Sequence, residues 1–190
     1  MMGERTPSLL VLDRDGVINV DIPGRYVCSA QEWVPIEGSL EAMGRLTRAG
    51  FAIYVVSNQS GIGRGYFTER ALDAMHTKLL DALGVHGGSL AGWFYCPHTP
   101  ADDCNCRKPR TGLLEAVSSH AGVALEGVPF IGDKWTDVLA ARAMGMREIL
   151  VGTGHGKAAL EAHREEIGEY FEDLAAAADT IIAERRRQRA

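Results

Sequence analysis

Five short apolar segments that alternate with helical segments constrain the fold of this chain most. The first is residues 9–12, and the others are residues 52–56, 93–95, 128–131 and 148–151. Segments of this length are too short for a typical helix, and an apolar run without polar alternation is typical of a strand buried on both faces of a parallel sheet. The alternation therefore predicts right-handed βαβ units and an α/β fold with a doubly wound, parallel, five-stranded sheet.

The segments between these strands carry helical spacing and helix end signals. They are residues 39–50, 68–84, 112–121, 136–144 and the stretch from residue 158 onward, which Gly168 interrupts. Ser39 and Thr68 are suited to act as N-caps. A chain of 190 residues without repeats or low-complexity linkers predicts one domain over residues 1–190.

The charge and hydropathy of the chain argue against several classes of partner. The formal net charge is −5, so nothing predicts binding to nucleic acid or to an anionic membrane surface. No run approaches the roughly 18 apolar residues of a membrane span, and no signal peptide is recognisable. We therefore expect no membrane partner and a cytoplasmic location.

Two carboxylates, Asp13 and Asp15, follow the first predicted strand, and Gly16 lets the backbone turn after them. In open α/β sheets, ligands bind in the crevice beyond the carboxyl ends of the strands. Two acids there favour a metal site or a carboxylate nucleophile with a neighbouring acid/base. For this segment alone, a solvated acidic turn is the alternative.

Other predicted strand ends add polar groups that would converge on the same crevice. Ser57 and Asn58 follow the second strand, and the Ser57 hydroxyl is suited either to bind a phosphate or to cap a turn. Asp133, Lys134 and Asp137 follow the fourth strand. Carboxylates combined with a substrate phosphate suit Mg²⁺, which commonly binds through one or two carboxylates plus phosphate oxygens.

The loop at residues 96–109 carries a compact set of potential metal ligands, namely Cys96, His98, Cys104 and Cys106. Three thiolates and one imidazole are a typical tetrahedral zinc set, and four protein ligands leave no open coordination position. In a reducing compartment such clustering favours a metal over disulfides. We therefore predict a structural Zn²⁺ that staples this loop, with a set of free thiols as the alternative.

Two cations, Arg107 and Lys108, follow the last cysteine of this loop directly. A metal-stapled loop near the strand ends would place them well for a phosphate, which Arg binds in a bidentate manner and Lys as a point charge. The alternative is a basic pair on the surface.

Four segments, DRDGVIN, VVSNQSG, CRKP and IGDKWTD, resemble in this order the four motifs of the haloacid dehalogenase (HAD) superfamily of phosphatases. The C-x-H and C-x-C pairs before CRKP are similar to the zinc-containing, nearly capless branch that holds heptose bisphosphate and histidinol-phosphate phosphatases. The resemblance spans roughly residues 9–153. It implies a HAD-like Rossmannoid fold with a small zinc-stapled loop and no large cap.

The resemblance also implies a role for each matching residue. Asp13 matches the nucleophile that becomes an aspartyl-phosphate, and Asp15 matches the general acid/base. Ser57 and Lys108 match the groups that hold the transferring phosphoryl oxygens. The implied Mg²⁺ ligands are the Asp13 side chain, the Asp15 main-chain carbonyl and Asp133. Because Asp15 has to be protonated during attack, we expect Asp13 and partial burial to raise its pKa.

Substrate contacts and supporting residues are implied less directly. Asp137 is expected to orient the metal or Lys108 without binding the metal itself. Residues 21–27 depart from the family, which usually has a short D-H-G-Y-V there, and the longer segment gains an arginine. The candidate substrate-binding residues are Asp21, Arg25, Tyr26, Asn58, Gln59, Arg107 and Lys134.

The activity implied by the resemblance is Mg²⁺-dependent hydrolysis of a phosphomonoester. We expect the protein to be a monomer. The leading substrate is the 7-phosphate of D-glycero-D-manno-heptose 1,7-bisphosphate, since Arg25 and Arg107 would suit its second phosphate. The alternatives are histidinol phosphate, whose cation would prefer an acidic rim, and another small sugar phosphate. A non-catalytic zinc-stabilised interaction module is a further alternative, against which the complete set of catalytic residues speaks.

Overall fold

A six-stranded parallel sheet forms the centre of the molecule in a computed structural model that describes residues 8–22 and 24–188. The strands are Ser8–Leu12 (β1), Phe51–Asn58 (β2), Gly92–Cys96 (β3), Pro129–Gly132 (β4), Arg147–Val151 (β5) and Tyr170–Phe171 (β6). Their order is β3-β2-β1-β4-β5-β6. This order places the carboxyl end of β1 between those of β2 and β4, so the polar residues after these three strands lie side by side.

The helices alternate with these strands along the chain. They are Ser39–Arg48 (α1), Ser60–Gly63 (α2), Glu69–Val85 (α3), Gly112–Ala121 (α4), Trp135–Ala143 (α5), Gly156–Ala162 (α6) and Leu174–Arg187 (α7). None of the helices in the described ranges is long and apolar enough to cross a membrane.

Helices cover both faces of the sheet, as the alternation predicted. On β1, Leu10 and Leu12 belong to the apolar cluster that α1, α3 and α7 form on one face. Leu9 and Val11 belong to the cluster on the other face, with α4 and α5. Successive strand residues point to opposite faces, so a strand that is apolar at every position is what a sheet covered on both sides requires.

The prediction of five strands is wrong, because the sheet has a sixth, β6, at its edge beside β5. The stretch predicted as one interrupted helix is two helices, α6 and α7, with β6 between them. A strand of two residues is too short to show any periodicity. The Asp173 side chain accepts a hydrogen bond from the Ala176 N–H at 2.8 Å and so caps α7.

The two predicted N-caps have opposite outcomes. The Thr68 hydroxyl accepts a hydrogen bond from the Ala71 N–H and caps α3, as predicted. Ser39 is not the cap of α1, because Gly38 holds that position with φ +78°. The Ser39 hydroxyl instead donates to the Ile18 carbonyl at 2.8 Å, which ties α1 to the segment that follows β1.

Candidate active site

The side chain of Asp13 lies at the carboxyl end of β1 in an ion-paired cluster. The Lys108 Nζ atom lies 2.8 Å from Asp13 Oδ1 and 2.7 Å from Asp137 Oδ1. All three side chains are buried. Burial raises the pKa of Asp13, Lys108 opposes this effect, and the nearby Asp137 adds to it. The buried ammonium therefore balances part of the negative charge of two carboxylates that ordinary solvent does not reach.

Lys108 is held at both its ends. Its ammonium also donates to the Val56 carbonyl at 3.0 Å, on the neighbouring strand β2. Its backbone N–H donates to Asn58 Oδ1 at 3.0 Å, and the Asn58 amide returns a hydrogen bond to the Lys108 carbonyl at 3.1 Å. The end of β2 thus fixes the loop that carries Lys108.

Asp133, after β4, completes a cluster of three carboxylates. Oxygens of Asp13, Asp133 and Asp137 all lie within 4.8 Å of one another. Asp133 Oδ2 accepts the His155 N–H at 2.8 Å, while the buried Oδ1 has no hydrogen-bond partner among the described residues. Converging carboxylates with a buried oxygen that accepts no hydrogen bond from the described residues fit a hard divalent cation such as Mg²⁺.

Two glycines leave the space that the Asp133 carboxylate occupies. A Cβ atom would lie 2.1 Å from Asp133 Oδ2 if it were added to Gly16 and 2.2 Å if it were added to Gly154. Both glycines also have positive φ angles, +87° and +56°. Burial, helped by Asp13 and opposed by Lys134, raises the pKa of Asp133 to about 8. A cation bound there would displace the proton that this pKa implies.

Asp15 has a different environment from its neighbour Asp13. The Arg14 guanidinium donates to both of its oxygens, and the amides of Asn19 and Gln59 donate to it at 2.9 and 2.8 Å. Burial raises the pKa of Asp15, but these partners, Arg14 above all, outweigh burial and lower it. The expectation of a raised pKa for Asp15 is therefore wrong, because the adjacent Arg14 guanidinium stabilises the ionised carboxylate.

Gln59 and Asn58, both candidate substrate contacts, form hydrogen bonds with other residues of the site. The Gln59 side chain is 2% exposed. Its amide donates to Ser57 Oγ at 2.6 Å as well as to Asp15, and its Oε1 accepts from Arg14 at 3.0 Å. Gln59 therefore connects Ser57 to Asp15 below the crevice.

The candidates at residues 21–27 divide between the crevice and the segment around it. Asp21 Oδ2 lies 3.0 Å from Lys134 Nζ and 3.1 Å from His155 Nε2, at the rim. Arg25, 60% exposed, pairs with Glu32 at 2.9 Å. Tyr26 contacts the Ser60 hydroxyl at 3.0 Å and its ring packs against Tyr66 and Phe67. Among these three, only Asp21 bonds to residues that surround the carboxylate cluster.

A small cavity of about 30 Å³ opens between the strand ends. Its lining residues are Asp13, Asp15, Ser57, Asn58, Lys108, Lys134, Thr136 and Asp137. Seven of these eight were named from the sequence, and Thr136 was not. The cavity therefore collects the side chains that the strand-end positions predicted would converge.

The four predicted zinc ligands form one cluster beside this crevice. The three sulfur–sulfur distances are 3.6 Å (Cys96 to Cys104), 3.1 Å (Cys96 to Cys106) and 3.5 Å (Cys104 to Cys106). The Nδ1 atom of His98 lies 3.2 Å from the Cys106 sulfur. A zinc–sulfur bond of about 2.3 Å gives a tetrahedral edge of about 3.8 Å. The side chains present therefore fit a tetrahedral metal with four protein ligands.

The thiols of this cluster differ in acidity. Burial raises the pKa of Cys96 to about 12. Burial acts in the same direction on Cys104, but the backbone N–H of Arg107 and the neighbouring thiols outweigh it and bring the pKa to about 7. Arg107 itself reaches the His98 carbonyl at 3.4 Å and lines a groove with Thr99 and Arg110.

Several residues of the site were not predicted. Arg14 stood inside the DRDGVIN motif, but an ion pair with the next residue is not visible in a sequence. Gly154 and His155 follow β5 in the segment GTGHG, and the Thr153 hydroxyl there donates to the Gly16 carbonyl at 2.5 Å. The same strand-end reasoning used for the other strands would have found this segment.

Comparisons with known proteins agree with this geometry. Residues 105–177 match the family of HAD-hydrolase-like proteins. The D-glycero-beta-D-manno-heptose-1,7-bisphosphate 7-phosphatase of Pseudomonas putida is 46% identical over 175 residues, which cover 92% of this chain and 99% of that protein. The enzyme of the same name from Escherichia coli K12 is 38% identical over 80% of this chain and 83% of its own length.

Among solved structures, D,D-heptose 1,7-bisphosphate phosphatase from B. bronchiseptica, complexed with magnesium and phosphate, matches with a TM-score of 0.90. It is 41% identical and the match covers 93% of this chain and 99% of that one. The chain therefore belongs to the HAD-like phosphatase family, and the family predicted from its sequence is confirmed. The relatives described here are, more narrowly, phosphatases of a heptose 1,7-bisphosphate.

Proposed function

We propose that this protein is a Mg²⁺-dependent phosphatase that removes the 7-phosphate of D-glycero-β-D-manno-heptose 1,7-bisphosphate. The observation that carries the proposal is the buried pairing of Asp13 with Lys108 at 2.8 Å, beside two further carboxylates. The names of its relatives support the substrate. Lys134 lines the cavity, and its positive charge favours a bisphosphate over a cationic substrate such as histidinol phosphate.

In the proposed first step, Asp13 attacks the phosphorus atom and the bond between phosphorus and the sugar oxygen breaks. Asp15 gives a proton to the departing oxygen, so the sugar leaves as an alcohol and Asp13 becomes an aspartyl-phosphate. The Lys108 ammonium and the Ser57 hydroxyl hold the phosphoryl oxygens. Asp13, Asp133 and the Asp15 carbonyl would hold Mg²⁺, which would supply positive charge to the same oxygens.

In the second step, Asp15 takes a proton from water, which attacks the phosphorus atom and releases inorganic phosphate and the Asp13 carboxylate. Asp15 is thus needed in both protonation states. Since Arg14 lowers its pKa in the free enzyme, we infer that the first proton arrives with the substrate, whose phosphate has a second pKa of about 6. The ionised Asp15 carboxylate can then accept the proton of the attacking water in the second step.

The zinc cluster has a structural role in this proposal. Four protein ligands leave no position for substrate, so zinc would stabilise the loop that carries Arg107 and brings Lys108 to the crevice. Asp137 positions Lys108 through their 2.7 Å ion pair. Asp21, Tyr26, Lys134, Arg25 and Arg107 remain the proposed contacts for the sugar and its second phosphate, with Asn58 and Gln59 in supporting positions.

The Asp13→Asn variant tests the nucleophile. Phosphate release from sugar phosphates with Mg²⁺ should be abolished, because an amide cannot form the aspartyl-phosphate, while zinc content and circular dichroism stay as in the wild type. The matched control is Asp81→Asn, on the exposed side of α3, which should retain full activity. Retained turnover in Asp13→Asn would refute the nucleophile assignment.

A further inference from the structure

Arg14 is a buried arginine with no assigned part in the reaction. Its side chain is 1% exposed, and in the sequence Arg14 stands between Asp13 and Asp15, the two residues proposed to react. Its Nη1 atom has no hydrogen-bond partner among the described residues. A buried guanidinium that is only partly satisfied is expensive for a fold to keep, since apolar residues in such positions are often as stable or more so. Stabilisation of the fold therefore does not explain why an arginine is buried at this position.

The Arg14 guanidinium donates hydrogen bonds to both carboxylate oxygens of Asp15. Nε donates to Oδ1 at 3.0 Å, and Nη2 donates to Oδ1 at 2.7 Å and to Oδ2 at 2.8 Å. The Asp15 side chain remains 18% exposed and lines the small cavity with Asp13. Arg14 thus contacts both carboxylate oxygens, while the Asp15 side chain stays partly exposed in the cavity that it shares with Asp13.

The guanidinium is itself held in place. Gln59 Oε1 accepts from Nη2 at 3.0 Å. The Trp93 ring centre lies 5.8 Å from the guanidinium carbon, within reach of a cation–π contact, and the His76 ring lies 4.4 Å from that of Trp93. Gln59, which follows β2, and Trp93 of β3 therefore support one orientation of Arg14, and His76 of α3 packs against Trp93. This is how a reacting group is kept close to its productive geometry.

We propose that Arg14 is a positioning residue, which fixes the Asp15 carboxylate in the orientation needed to protonate the leaving oxygen. The inference rests on the proposed acid/base function of Asp15. Lysine is not an adequate replacement, because only the planar guanidinium contacts both carboxylate oxygens with a rigid fork. Loss of this fork leaves the acid in place but lets it rotate, which slows proton transfer without removing the nucleophile.

The test compares two substrates whose leaving groups need protonation to different degrees. Phenolate is a poorer leaving group than p-nitrophenolate, so phenyl phosphate depends more on the general acid. We expect Arg14→Lys and Arg14→Met to lower kcat/KM for phenyl phosphate by about 100-fold and for p-nitrophenyl phosphate by less than about tenfold. The ratio of the two rates does not depend on the fraction of folded enzyme, so a destabilised variant remains informative.

Asp15→Asn and the double variant Asp15→Asn/Arg14→Met complete a cycle. If Arg14 acts through Asp15, its replacement causes less than about a twofold further loss once Asp15 is Asn. The matched control is Arg45→Met, an arginine paired with Asp179 on α7, which should leave both rates unchanged.

Two results would overturn the inference and are distinguishable from each other. Equal losses for the two substrates in the Arg14 variants, with a selective loss in Asp15→Asn, would make Arg14 merely structural and leave the proposed function intact. An unchanged substrate ratio in Asp15→Asn would remove the acid role of Asp15 and the inference with it. Both aryl substrates are independent of which sugar phosphate the enzyme uses.

Discussion

Replacing Asn58 by alanine removes the two hydrogen bonds that hold the backbone of Lys108, at 3.0 and 3.1 Å. Each such bond contributes about 1 kcal/mol net, so the free energy of unfolding should fall by about 2 kcal/mol. For a domain of this size that corresponds to a decrease in Tm of about 4–8 °C. The loss of this clamp also lets the Lys108 ammonium move relative to Asp13.

The kinetic consequence separates a clamp from a substrate contact. Displacement of Lys108 weakens phosphoryl transfer itself, so kcat should fall by about tenfold or more while KM changes less. A residue that only binds substrate would raise KM and leave Tm unchanged. Thermal unfolding followed by circular dichroism and steady-state phosphate release, both with Mg²⁺ present, measure the two effects on the same preparation.

The matched control is Asn105→Ala, in the same loop but with an exposed side chain. Exposed substitutions of this kind change stability by about 0.5 kcal/mol or less, so Tm and kcat should match the wild type. An Asn58→Ala enzyme with wild-type Tm and a raised KM would refute the clamp and restore Asn58 as a substrate contact.

Three further predictions concern the metals. Gly154→Ala should weaken activation by Mg²⁺ at least about tenfold, because the added Cβ would lie 2.2 Å from Asp133 Oδ2. The control is Gly122→Ala, since Gly122 has a similar φ of +68° and no atom within 4 Å of an added Cβ. Equal Mg²⁺ dependence of the two variants would contradict this prediction. Metal analysis should find about one zinc per chain. Chelation of the zinc, followed by restoration of Mg²⁺, should lower both Tm and activity. A zinc-free protein with unchanged Tm and activity would exclude a structural zinc. Mg²⁺ binding at pH 7 should release up to about one proton and strengthen as pH rises toward 8, because the pKa of Asp133 is raised to about 8. Calorimetry in buffers of different ionisation enthalpy would count that proton. Finding no released proton would contradict the raised pKa of Asp133.

The stability of the metal-free protein should fall as pH rises, because of the raised pKa of Asp133. The folded pKa of Asp133 lies above the unfolded value, so its protonated form stabilises the fold fully below about pH 4. That stabilisation is lost as pH rises through about 8. Mg²⁺ should therefore raise Tm more at pH 8 than at pH 6.

The sequence was most informative where apolar strands end. Uninterrupted apolar residues such as 9–12 require a sheet covered on both faces, and parallel strands place their carboxyl ends at one edge. Asp13, Ser57 and Asp133 could be brought together by that reasoning alone. β6 could not be predicted, because two residues carry no period and its pairing with β5 is a long-range contact.

The sequence was least informative about which way polar side chains point. Gln59 and Asn58 stand in a motif that suggested substrate contact, yet the structure directs Gln59 to Arg14, Ser57 and Asp15 and directs Asn58 to Lys108. The same limit explains the wrong expectation for the pKa of Asp15. A raised pKa follows from a neighbouring acid and burial, and only the three-dimensional arrangement reveals the arginine that reverses it.

The most direct test of the central proposal is ³¹P NMR of D-glycero-β-D-manno-heptose 1,7-bisphosphate incubated with the purified enzyme and Mg²⁺. We expect the signal of the 7-phosphate to disappear as inorganic phosphate forms, while the 1-phosphate signal persists. With Asp13→Asn, neither signal should change. Loss of the 1-phosphate first, or no hydrolysis by an enzyme that readily cleaves histidinol phosphate, would contradict the proposal.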